Sequence, residues 1–295
     1  MKLHGTFTAL VTPFRSDEEI DFPALKKLIV KQILNKVDGL VPCGTTGESP
    51  TLTHDEHREV IAKTIEWTKE INKDVTVIAG TGSNSTREAI DLTRSAAKDG
   101  ADYALVVNPY YNKPTQEGLC AHFLKIAEAS EIPLVLYNIP GRTSVSLSIN
   151  SISRLAEHPN IVAIKEATGD LGFMAEVILN TPDDFVLLSG DDNLLLPVLS
   201  IGGKGVISVL SNLLPLKVGN VTRYFLAGNY EEARKEYYNL LPLMKAMFFE
   251  TNPIPVKAAL SIMGEIENVL RLPMSKLSKE NHEKLVFILT GYDNS

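Results

Sequence analysis

Cysteine, clustered positive charge and long apolar runs are all scarce in this chain of 295 residues. Its two cysteines, Cys43 and Cys120, cannot build a disulfide framework. No run of 18 apolar residues occurs, which argues against a membrane span. With a formal net charge of −7 and no basic block, nucleic acid and acidic membrane surfaces are poor partners. No apolar run leads into a G-x-G-x-x-G turn, which weakens a dinucleotide-binding reading. His54 and His57 stand at i, i+3 without H-E-x-x-H, so a zinc site is not expected. Met1-Lys-Leu-His-Gly5 runs straight into a strand pattern, without a signal or transit segment. A cytoplasmic, enzyme-sized globular protein is the expectation.

What is present recurs regularly. Apolar strand-like runs cover Thr6 to Val11, Gly39 to Pro42, Val75 to Ala79, Tyr103 to Val107, Leu134 to Tyr137, Ile161 to Ile164, Phe185 to Leu188 and Gly205 to Val209. Helical patterns lie between them. Leu25, Leu28, Ile29 and Ile33 form an apolar face behind a possible cap at Asp21, while Thr53 with Glu56 and Ser85 with Glu88 fit the S/T-x-x-E capping box. Eight alternating units predict an α/β protein, a closed (β/α)₈ TIM barrel over residues 1–228, with an open doubly wound sheet as the runner-up. Beyond it, Tyr230 to Phe249, Pro253 to Met263 and Ser278 to Leu289 predict three helices, a C-terminal helical domain over 229–295.

The most informative single residue is Lys165, at the end of Ile161-Val-Ala-Ile164. A free lysine is neutral at pH 7 in only about one copy in 2,500. Burial penalises the charged form, and a neutral amine can attack a ketone to form an imine. The plain alternative is a lysine that snorkels from the strand end into water.

In a barrel, reactive groups gather at the carboxyl ends of the strands. There the sequence has Cys43-Gly-Thr45-Thr46-Gly-Glu48, Asn108-Pro-Tyr110-Tyr111, Tyr137-Asn-Ile-Pro-Gly141-Arg142-Thr143, Lys165, Ser189-Gly190-Asp191-Asp192 and Ser208. Singly each has an ordinary reading: a capped turn, core or interface aromatics, a surface arginine, a helix start at Asp191-Asp192 rather than a metal site. Together they match imine chemistry on an oxo-acid. The amine attacks the keto carbon, a phenol moves protons, backbone N–H groups and a hydroxyl hold a carboxylate, and an arginine clamps a second one.

At Gly44-Thr-Thr-Gly-Glu-Ser49, Asn108-Pro-Tyr-Tyr111, Tyr137-Asn-Ile-Pro-Gly-Arg-Thr143 and Ile164-Lys-Glu-Ala167 the chain resembles the dihydrodipicolinate synthase (4-hydroxy-tetrahydrodipicolinate synthase) group of pyruvate-dependent class I aldolases. That family includes N-acetylneuraminate lyase. The resemblance implies a homotetramer built as a dimer of dimers, acting on pyruvate and L-aspartate 4-semialdehyde in the diaminopimelate route of lysine biosynthesis. It implies a Schiff base on Lys165, proton transfer by Tyr137, and a hydroxyl relay from Thr45 to Tyr111, the latter reaching across a subunit boundary. Thr46 would hold the pyruvate carboxylate and Arg142 that of the semialdehyde, with main-chain groups of Gly190 and Ile207 near the imine. No metal or organic cofactor is implied. Feedback inhibition by lysine would use Ser49, His54, His57, Asn84, Glu88 and Tyr110, although Pro50 stands where the lysine-sensitive pattern has alanine.

Two other readings compete. A lyase for N-acetylneuraminate or a 2-keto-3-deoxy sugar acid shares Lys165 and Tyr137, but Thr45, Tyr110-Tyr111 and Gly141-Arg142 favour the synthase. A barrel that only binds an oxo-acid has no need of an unprotonated lysine.

Overall fold

The computed structural model describes residues 3–293. Met1, Lys2, Asn294 and Ser295, within the expected domain bounds, lie outside them. Eight parallel strands close into a barrel in chain order: β1 (Gly5–Ala9), β2 (Gly39–Val41), β3 (Thr76–Gly80), β4 (Tyr103–Val107), β5 (Leu134–Asn138), β6 (Ile161–Glu166), β7 (Val186–Ser189) and β8 (Gly205–Ser208). The seam is β8 against β1, with Gly5 opposite Gly205. A Cβ on Gly205 would fall 1.9 Å from the Gly5 carbonyl oxygen, so only glycine lets the last strand approach the first. Closure excludes the open sheet, and all eight expected strands are present with ends that differ by at most two residues.

Among the described residues nine helices accompany the barrel: α1 (Phe22–Leu34), α2 (His54–Ile71), α3 (Thr86–Asp99), α4 (Gln116–Ala129), α5 (Pro140–Thr143), α6 (Ile149–Ala156), α7 (Leu171–Leu179), α8 (Leu195–Ser200) and α9 (Pro215–Leu226). Three more follow, α10 (Tyr230–Ala246), α11 (Ile254–Ile262) and α12 (Lys279–Asp293), with no strand between them. Asp21 caps α1 by accepting from the Ala24 N–H at 2.9 Å, and Thr53 and Glu56 form the reciprocal box that starts α2. The pair at α3 departs from expectation. Ser85 accepts from the Glu88 N–H, but the Glu88 carboxylate turns to Ser83 and His54, so no reciprocal box forms.

Alternation sorts each strand's side chains. Phe7, Val41, Ile78, Leu105, Val135, Ala163, Leu188 and Ile207 fill the barrel interior, and residues of opposite parity, such as Leu134, Leu136 and Ile164, pack under the helices. The C-terminal helices join the outer layer: Leu240, Leu243 and Met244 of α10 and Val256 and Leu260 of α11 share one core with Leu25, Ile29, Val60, Val218 and Val221. Among the described residues no helix is long and apolar enough to cross a membrane.

Candidate active site

Strand β6 runs two residues further than the apolar run suggests, so Lys165 stands within the strand rather than after it. It shares parity with Ala163, which turns its side chain into the barrel. Tyr137 of β5 is its register partner. The Lys165 amine lies 4.1 Å from the Tyr137 ring centroid, with only 7% of the lysine exposed. Snorkelling is therefore excluded: the amine is retained beside a phenol inside the barrel mouth.

Three buried polar groups lock this pair of strands. Asn108 donates to Asn138 Oδ1 at 2.8 Å, and Asn138 donates to Glu166 Oε2 at 2.9 Å. Burial raises the Glu166 carboxyl above its ordinary range, against the hydrogen bonds from Asn138 and Thr168. The next backbone is equally close: the Gly190 N–H donates to the Glu166 carbonyl at 2.7 Å, and a Cβ on Gly190 would come within 2.6 Å of the Ala167 methyl. Glycine is required there because any side chain would push β7 away from the lysine strand. Ile207, fully buried, belongs to the same interior cluster as Tyr137 and Leu188.

Asp191 and Asp192 stand at a helix start, as the sequence suggests. A short 3₁₀ turn does begin at Asp192, but neither carboxylate caps it. Asp192 instead accepts from the N–H groups of Val209 at 2.9 Å and Leu210 at 3.0 Å, which clamps the end of β8. Burial raises both carboxyls, with the nearby Lys165 amine opposing the shift.

A separate cleft of about 420 Å³, which neither Lys165 nor Tyr137 lines, is bordered by Thr45, Ile139 and Arg142 together with Ser49, His54, His57, Glu88 and Tyr110. The Thr45-Thr46 turn is held from an unexpected direction. Asn252, in the connection between α10 and α11, donates to Thr46 Oγ1 at 2.9 Å, and its carbonyl accepts from the Arg142 guanidinium at 3.0 Å. Two residues beyond Thr46, buried Glu48 adopts a left-handed φ of 53° and pairs with Lys257 of α11. Its other oxygen accepts from the Arg271 N–H at 3.1 Å.

The structure thus brings Lys165 and Tyr137 together and links Thr46 to Arg142. Thr45 borders the same cleft as Arg142. Tyr111 does not join them within one chain. It has a left-handed φ of 70° and is 91% exposed, projecting away from its own barrel. Of the six residues matched to lysine binding, five border the cleft, and the sixth, Asn84, donates to the Tyr110 carbonyl at 3.1 Å. His54 Nε2 lies 3.1 Å from Glu88 Oε1, and burial takes the His57 imidazole down to about 4. Sequence reasoning missed Asn138, Asn252 and Lys257. Asn138 had a signal in its position at a strand end; the other two had none, since Asn252 lies 206 residues from Thr46 and 110 from Arg142, and Lys257 lies 209 from Glu48.

Residues 2–291 match the model of the dihydrodipicolinate synthetase family. A Leptospira biflexa serovar Patoc protein named 4-hydroxy-tetrahydrodipicolinate synthase is 56% identical over 289 residues, 97% of each chain. A dihydrodipicolinate synthase from Acinetobacter baumannii, solved in complex with pyruvate, superposes with a TM-score of 0.96 at 43% identity over 99% of each chain. The Cyanidioschyzon merolae enzyme, solved with lysine bound, gives 0.95 at 41% identity, again over 99% of each chain. The barrel, the buried lysine and full-length likeness agree: the chain belongs to the dihydrodipicolinate synthetase family.

Proposed function

We propose that this chain condenses pyruvate with L-aspartate 4-semialdehyde, giving 4-hydroxy-tetrahydrodipicolinate and water. The observation that carries the reading is the Lys165 amine, buried within the barrel mouth and stacked on Tyr137. The relative solved with pyruvate supports the same first substrate.

Lys165 attacks the keto carbon of pyruvate, and Tyr137 moves the protons needed to expel water from the carbinolamine. Thr46 holds the pyruvate carboxylate through its hydroxyl and N–H. Loss of a methyl proton turns the imine into an enamine, which attacks the aldehyde of the semialdehyde while Arg142 holds that substrate's carboxylate. The amino group then closes the ring on the imine carbon and releases Lys165. Main-chain groups of Gly190 and Ile207 line the imine in this scheme. The imine serves as the electron sink, so no metal or organic cofactor enters the scheme.

Tyr111, exposed on its own chain, completes the relay with Thr45 in the site of a neighbouring subunit. A homotetramer made of two such dimers follows from this reading. Residues 1–228 then act as the catalytic barrel and 229–295 as the helical domain, in a cytoplasmic enzyme of lysine biosynthesis. Lysine acts as a feedback effector at Ser49, His54, His57, Asn84, Glu88 and Tyr110, where Glu88 suits an ammonium group; the lysine-bound relative supports this.

Pyruvate followed by borohydride tests the chemistry. The wild-type chain gains one reduced pyruvyl adduct at Lys165, and Lys165→Ala gains none. An adduct elsewhere, or none in the wild type, overturns the reading.

A further inference from the structure

Asn252 touches both residues assigned to the substrates' carboxylates. Its side-chain amide donates to Thr46 Oγ1 at 2.9 Å, and its main-chain carbonyl accepts from Arg142 at 3.0 Å. It is buried, and α11 behind it is tied to the same turn by Lys257 and Glu48. We infer that Asn252 is a positioning residue that sets the direction of the Thr46 hydroxyl proton, keeping that proton for the pyruvate carboxylate. The inference rests on the role proposed above for Thr46.

The chemistry follows from the capacities of the groups. A threonine hydroxyl has one proton to give and two lone pairs. An amide N–H pointed at a lone pair leaves the proton free for another acceptor. A carboxylate is only an acceptor, so a hydroxyl oriented in this way is complementary to it before the substrate arrives. The opposite amide orientation would set Oδ1 against Thr46, draw the proton inward and strand two buried N–H donors. The observed one uses one N–H on Thr46 and leaves the Asn252 Oδ1 acceptor unpaired. The carbonyl contact to Arg142 adds a second consequence, since a shift of Asn252 displaces both carboxylate-binding groups at once.

Asn252→Ala and Asn252→Asp, each alone and combined with Thr46→Val, test this through kcat and KM for both substrates. Asn252→Ala is expected to raise KM for pyruvate by about tenfold or more, the scale of losing an oriented donor to a charged acceptor. Asn252→Asp, nearly the same shape but acceptor only, pulls the Thr46 proton inward and raises it further. In the Thr46→Val background either change should move the pyruvate KM by less than about twofold, because its target is gone. Should the alanine variant fail to fold, the aspartate variant supplies the cycle. Additive effects in the two backgrounds, or an unchanged pyruvate KM in Asn252→Asp, overturn the role of Asn252. A wild-type protein that gains no borohydride-trapped adduct overturns the imine chemistry instead, and the two failures are thereby separated.

Discussion

Lys257 Nζ lies 2.5 Å from Glu48 Oε1, a fully buried ion pair closed across 209 residues of chain. It joins the turn that carries Thr45 and Thr46 to the first helix after the α10 connection. Burial pushes the Lys257 amine down to about 8, with the Glu48 carboxylate opposing that shift. Lys257 also sits 4.2 Å from the Phe14 ring centroid, so the ammonium has an aromatic face as well as a carboxylate.

Removing one partner of such a pair leaves the other charge buried. Lys257→Met is expected to cost about 3–5 kcal/mol of stability, whereas Glu48→Gln with Lys257→Met should cost clearly less than the two single changes together. Urea unfolding midpoints of the four proteins measure this. Equal, additive losses would show that the two side chains do not act as a pair.

The Tyr137 ring centroid lies 4.1 Å from the proposed nucleophile. Tyr137→Phe keeps the ring under the amine and removes only the hydroxyl. A loss of about 10²- to 10⁴-fold in kcat is expected, with the borohydride adduct still forming slowly. A variant within threefold of wild type would remove Tyr137 from proton transfer.

The exposure of Tyr111 makes its action across a boundary testable by hybrids. Tyr111→Phe and Lys165→Ala are each expected to be nearly inactive alone. Co-expressed, they form mixed dimers in which one site holds an intact Lys165 from one chain and an intact Tyr111 from the other. Activity should then return toward a fraction of wild type. If co-expression restores nothing, Tyr111 serves its own chain's site or none.

Two histidines give the stability a pH dependence of definite sign. Burial takes His57 and His122 each down to about 4. An unfolded imidazole titrates near 6.5, so between about 6.5 and 4 the unfolded chain binds protons that the folded chain refuses. Stability is therefore full above pH 6.5 and falls as the pH drops towards 4, by roughly 3 kcal/mol per histidine at most. His122 donates to or accepts from Thr86 at 2.9 Å through one ring nitrogen, and its other nitrogen is buried without a partner. His122→Gln should flatten the acid limb measured by urea titration at pH 7 and pH 4.5. An unchanged limb would contradict the buried neutral state.

Local order was written plainly in the chain. Short β-branched runs cannot satisfy their backbone groups except in a sheet, and eight of them separated by helical patterns left few architectures to choose among. Lys165 was recognisable because a cation after an apolar run is costly, and Thr45, Thr46, Tyr137 and Arg142 because they follow strand ends. Glu88 was misread for a related reason. Its spacing from Ser85 satisfies the capping pattern, but its carboxylate is taken by Ser83, five residues away, and by His54, which only folding brings near.

Amino-acid order by itself determined the strands, most helix starts and the chemistry present at the strand ends, since these depend on neighbours a few residues apart. Tertiary structure alone decided that Lys165 is retained in the interior, that Asn252 reaches Thr46 and Lys257 reaches Glu48, and that Tyr111 faces outward. Hydrogen bonds and ion pairs act over about 3 Å whatever the separation along the chain. Only closure of the barrel and docking of the last helices brings residues more than 200 positions apart within that range.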